Sequence, residues 1–218
     1  MWFRSRPHPP SRADRWAAFA RQVEAQPAGS AAERLRRFLD LDDAEVRHVH
    51  VLRRPGQSSL YLFDVVRTRA GPSGRVVRWS GWGLVRSDRV VSPVSFRAAP
   101  RREPVLEGLE ASRTGASRVD LSARPDLDAE LAVLARDPAA ARALLIPAVA
   151  DVLRRLVDLG PSAAVVAGER HLLAHVDVDE ADDPAQLLPL ATDLMSLAAL
   201  LPVASPPSID EDDFLTLG

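Results

Sequence analysis

The sequence predicts an α+β fold: an antiparallel meander sheet plus a second hairpin, with helices packed on one face. Three observations carry this reading. From Val46 to Arg97 apolar residues recur at period two, in segments broken by turn residues. On either side of that stretch the period is helical, with Pro and capping residues at the breaks. A second pair of short apolar segments flanks Gly168-Glu169-Arg170.

Taken in order, residues 1–10 are rich in Pro and Arg and are expected to be loose. Ser11, three before Asp14, opens a helix whose stripe is Trp16, Phe19, Ala20 and Val23, and Pro27 stops it. Ser30 and Glu33 have capping-box spacing ahead of Leu35, Phe38 and Leu39. Val46–Arg53 and Leu60–Arg69 read as strands, followed by a five-residue loop, 70–74, and a return strand over 75–87. Arg89–Arg97 reads as a fourth strand, with Pro93 marking an edge or a bulge. Residues 104–111 read as a helical turn or two, and 117–122 as a short strand. Asp126–Arg136 has Leu127, Leu131 and Leu134 at helical spacing. Asp137-Pro138 starts a helix to 146, Pro147 starts another to 159, and Gly160-Pro161 closes it. Strands follow at 163–167 and 171–177. Asp183-Pro184 then opens a last helix to Leu201, with Leu187, Leu190, Leu194, Leu197 and Leu201 on its buried face. The expected organisation is one domain over 11–203 with an acidic, disordered tail over 204–218.

At 46% hydrophobic and 27% charged residues, the 218-residue chain has the composition of a folded globular protein. There is no Cys, which removes disulfides, thiolate zinc sites and a Cys nucleophile. Every basic residue is Arg, so neither a Schiff-base nor a P-loop lysine is available. No apolar run reaches the ~20 residues of a membrane span, and the first residues lack a signal-peptide core. The expected location is the cytoplasm.

Charge divides the chain. Residues 1–102 hold 20 Arg against 9 acidic residues, and residues 103–218 hold 8 against 21. The halves either neutralise each other on folding or present separate faces. No retention on heparin at physiological salt is expected.

Two candidate sites stand out. His48 and His50 share one strand face, as do His171 and His175; if these faces met, four imidazoles would hold a metal. Scattered histidines are the simpler reading. Secondly, Arg78, Trp82 and Arg86 lie on one side of the return strand, with Arg67, Arg69 and Arg75 crowding its hairpin end. Trp79, Val77 and Val85 are assigned to the helix-covered side, which leaves Trp82 partly exposed on an interaction surface. A solvated face of arginine stems is the competing account. The acidic run Asp177, Asp179, Glu180, Asp182 and Asp183 begins like a calcium loop but lacks its Gly and its final Glu, so it reads as a turn before a capped helix. Gly81-Trp82-Gly83 lacks a dinucleotide motif's third Gly, and these glycines read as a bulge or a close contact.

Leu60-Tyr-Leu-Phe-Asp64, a hairpin and Ser92-Pro-Val-Ser-Phe96 resemble a group of uncharacterised bacterial proteins. Pro125, Leu144-Leu-Ile-Pro147 and the strand His171-Leu-Leu-Ala-His175 extend the resemblance over about residues 45–200. Some members of that group are membrane-attached; the group brings no activity and no site residues. The element order is also similar to that of secretion-chaperone-like domains, which bind partner polypeptides. The functional expectation is a non-enzymatic cytosolic binding or regulatory protein without a cofactor. Its partner would be another protein or a second copy rather than nucleic acid. The alternative is a metal-dependent hydrolase built on the four histidines.

Overall fold

The computed structural model describes residues 9–53, 58–72, 74–86, 93–98, 115–160, 162–168 and 171–201. The expected flexible N-terminus, the turn at 104–111 and the acidic tail lie largely or wholly outside them. Nine strands among the described residues are β1 (Gln26–Pro27), β2 (Ala44–Leu52), β3 (Leu60–Gly71), β4 (Gly74–Arg86), β5 (Val94–Ala98), β6 (Ser117–Arg118), β7 (Leu131–Ala135), β8 (Ala164–Ala167) and β9 (His171–Val178). They form one antiparallel sheet in the order β1-β2-β3-β4-β9-β8-β5-β7-β6. The helices are α1 (Arg12–Gln22), α2 (Ala32–Phe38), α3 (Pro125–Glu130), α4 (Pro138–Leu144), α5 (Pro147–Val157) and α6 (Leu188–Leu200). The chain is therefore α+β.

Local chemistry sets most helix starts. Ser11 and Asp14 form a reciprocal capping box at α1. Asp137 accepts from the amides of Ala139 and Ala140 at α4, with Pro138 at the first helical position. Asp183 caps a 3₁₀ turn, Pro184–Leu187, that leads into α6. Ser30 and Glu33 do not form the expected box. A 3₁₀ turn, Gly29–Ala31, precedes α2, and Glu33 instead pairs with Arg36 at 2.9 Å and Arg37 at 3.3 Å.

Three expectations are corrected. Residues 126–136 are not one helix: α3 ends at Glu130, and Leu131-Ala-Val-Leu-Ala135 is β7. All five residues of β7 are buried, as suits a strand covered on both faces, and leucine spacing alone does not separate that from a helix. The fourth strand does not extend the meander, since β9 and β8 stand between β4 and β5. The last six residues of β4 before Arg86 are buried on both sides, and β9 offers Leu172, Leu173 and Ala174 to match, whereas β5 carries Ser95 and Arg97. Finally, helices pack on both faces. On the first face α1, α5 and α6 cover Leu60, Leu62, Val85, Phe96, Leu172 and Ala174. On the second, Leu35 of α2 and Leu41 pack with Val49, Tyr61, Phe63, Val65, Trp82 and Leu84.

Gly81 and Gly83 mark where the 3₁₀ turn Pro184–Leu187 and α6 rest on β4. A Cβ at Gly81 would stand 2.4 Å from Leu187 Cδ2, and one at Gly83 would stand 2.6 Å from Leu190 Cδ2. The glycines thus provide close approach of helix to sheet. The hairpin of β3 and β4 pairs as far as Gly71 opposite Gly74, so it closes more tightly than a five-residue loop.

Candidate functional site

Asp64 sits in the middle of β3, fully buried, on the first face. Burial of a lone carboxylate is costly, so the fold supplies donors. Arg12 Nε and Nη2 donate to its two oxygens at 2.7 and 2.8 Å, and Trp16 Nε1 donates at 2.7 Å. The remaining nitrogen of Arg12, Nη1, donates to the carbonyl oxygens of Asp179, Glu180 and Asp182, at 2.8, 3.1 and 3.2 Å. The acidic run is thus a turn whose carbonyls face a guanidinium and whose Asp182 accepts from the amide of Asp179. Arg12 also lies 5.0 Å over the ring of Trp79. Spacing patterns miss this cluster. The available signal was an Asp inside an apolar strand buried on both sides, which obliges a cation to come to it.

The second face, beyond α2, holds a different arrangement. The hairpin ends of β3 and β4 overhang their neighbours: β2 pairs with β3 up to Arg67, and β9 pairs with β4 only from Trp79. At the border of this overhang Arg67 stands opposite Arg78, and within it Arg69 stands opposite Val76. Together with Ser80 and Asp177 they line a groove of about 340 Å³. Arg67 and Arg69 lie 3.6 and 3.8 Å from Asp43, and Arg78 is exposed with no ion-pair or hydrogen-bond partner among the described residues. Val76 and Val77 are 43% and 48% exposed, large values for apolar side chains on a strand.

Trp82 lies on the side expected but is buried, at 7% exposure. His175 stacks on it at 4.8 Å, Phe63 at 6.1 Å, and the Arg67 guanidinium sits 5.9 Å over the ring. Its Nε1 donates to Ser80 Oγ at 2.8 Å. Arg86 is in register with His171 at the far end of the strand. Arg78, Trp82 and Arg86 therefore do not form one exposed patch. What remains open is the end containing Arg78. Trp79 is buried on the first face, as assigned, while Val77 is exposed there.

The four histidines do not meet. His48 and His50 face Trp16 on the first face, stacked at 6.3 and 5.2 Å. A bulge between Arg47 and His50 puts His48 at φ 51°. His171 contacts Phe38 and His175 contacts Trp82, both on the second face. The members of each pair share a face, for His48 through the bulge rather than regular alternation, but alternation carries no information on which faces coincide. Among the described residues no group of three or more His, Cys, Asp or Glu could hold a metal.

Burial, and after it the positive charge of Arg97, push His175 down to about 4 from 6.5, and burial lowers His48 and His171 as well. Well above pH 6.5 these rings are neutral in both states. As pH falls toward 4 the unfolded chain takes up protons that the native state refuses. Stability is therefore expected to fall across pH 6.5 to 4, with His175 contributing up to about 3 kcal/mol. Urea unfolding across this range checks it, and His175→Gln should flatten the slope.

Every ion pair between described residues joins residues of the same half of the chain. Arg154 gathers Asp126, Glu130 and Asp151, and Arg155 holds Asp193 at 2.7 Å.

No family profile and no curated protein sequence matches the chain. A solved structure does. The fold is similar to that of the mycobacterial trehalose monomycolate transport factor A, TtfA. The TM-score is 0.61 over 89% of this chain and 98% of that one, at 12% identity. At that identity the likeness to TtfA establishes a shared fold and carries no site residue across. The described helices include none long and apolar enough to cross a membrane.

Proposed function

We propose that this chain is a non-enzymatic binding protein that engages an anionic partner at the hairpin end of β3 and β4. The carrying observation is the groove bordered by Arg67, Arg69 and Arg78, with exposed Val76 beside it. Guanidiniums beside apolar surface suit recognition of carboxylates or similar anions carried on a larger molecule. One likeness supports a binding role: TtfA, whose fold this chain shares, is described as a transport factor.

The test is binding of fluorescent poly-L-glutamate to the full chain at rising salt. Binding at low salt, weakened by salt, is expected. Arg69→Glu/Arg78→Glu changes two exposed side chains and should weaken binding by about tenfold or more while leaving the unfolding midpoint in place. Absence of binding at low salt, or binding indifferent to the double reversal, would overturn the reading.

A further inference from the structure

We propose that the partner is an extended acidic segment of another protein, added as a strand to the free edge of β4 at Gly74–Arg78. The inference rests on the anionic-partner reading and specifies its geometry. The pairing of β4 with β9 stops at Trp79 opposite Val178, after which the chain turns toward Arg12. Gly74–Arg78 remain paired with β3 alone among the described residues. In an antiparallel ladder every second residue directs its N–H and C=O away from the partner strand, so this edge offers a short row of free backbone groups. All five residues are exposed.

Side chains then select the partner. On the second face the edge presents Val76 and Arg78, backed by Arg69 and Arg67 across the hairpin. An added strand would place every second side chain against these guanidiniums, and acidic residues fit there. Its alternate side chains would lie on the first face beside Val77, where apolar residues fit, with Arg75, which donates to Thr68 Oγ1, at the hairpin end of that face. The predicted partner therefore alternates acidic and apolar residues. A second copy of this chain is disfavoured as the occupant, because the edge, Gly74-Arg-Val-Val-Arg78, offers no acidic residue to meet another copy's guanidiniums. Nucleic acid would meet the charge but has no use for the backbone row or for the period of two.

The experiment compares two soluble peptides with the full chain: alternating Glu and Val, and the same composition with Glu and Val in separate blocks. The alternating peptide should bind about tenfold more tightly. N-methylation of its backbone at alternate positions should abolish binding in one register and spare it in the other, since only one set of amides faces β4. Hydrogen exchange should slow at amides within 74–78. Equal binding of the two peptides, or indifference to the register of methylation, overturns strand addition and leaves the anionic-partner reading standing. Failure of both peptides to bind at low salt overturns that reading as well.

Discussion

Asp64→Ala is expected to lower the free energy of unfolding by about 3–5 kcal/mol, the cost of stranding a buried charge. Asp64 is fully buried and Arg12 is 6% exposed, so little water reaches the vacated site. Two charge-assisted bonds from Arg12 and one from Trp16 would be lost together. The consequences reach beyond β3. Arg12 also holds three carbonyls of the turn after β9, so its displacement should loosen α1 and the 179–182 turn jointly. Replacing both partners by apolar residues of similar volume, Asp64→Leu with Arg12→Met, should recover much of the loss, because no charge is then stranded. Urea unfolding of the three variants decides it. A loss under about 1 kcal/mol for Asp64→Ala would show that the pair is dispensable.

Leu194→Ala is expected to cost about 2–5 kcal/mol. Leu194 is fully buried at the centre of α6, and its Cδ2 would lie 3.1 Å from a Cβ on Gly83. Removing its branched end leaves a void that β4 cannot fill, since Gly83 has no side chain to relax into it. Leu187, Leu190 and Leu197 on the same stripe are each at most 2% exposed, so the helix is held on both sides of the cavity. A change in unfolding free energy below about 0.5 kcal/mol would place α6 at the periphery.

Much of this architecture was legible one element at a time. The reciprocal cap of Ser11 and Asp14, the Asp137-Pro138 start and the final leucine stripe all appear where local chemistry put them. Those signals act within a few residues: a cap needs an oxygen three positions from an amide, and a stripe needs only helical period. The errors arose where an element's neighbour decided the outcome. Leu131–Ala135 became a strand because β5 and β6 were there to pair with it. Trp82 became buried because Phe63, His175 and Arg67 close over it, although the alternation had named its side correctly.

The candidate site divides in the same way. By itself the sequence determined the charge split between the halves, the absence of cysteine and lysine chemistry, and the crowding of arginines at one hairpin end. Each is a property of composition or of nearest neighbours in the chain. Only the tertiary structure decided that the histidine pairs lie on opposite faces, that Asp64 faces Arg12 from 52 residues away, and that β9 stops short of the hairpin end. Strand order and sheet face depend on which apolar surfaces can be buried together. That is a global packing balance, and no local pattern of residues encodes it.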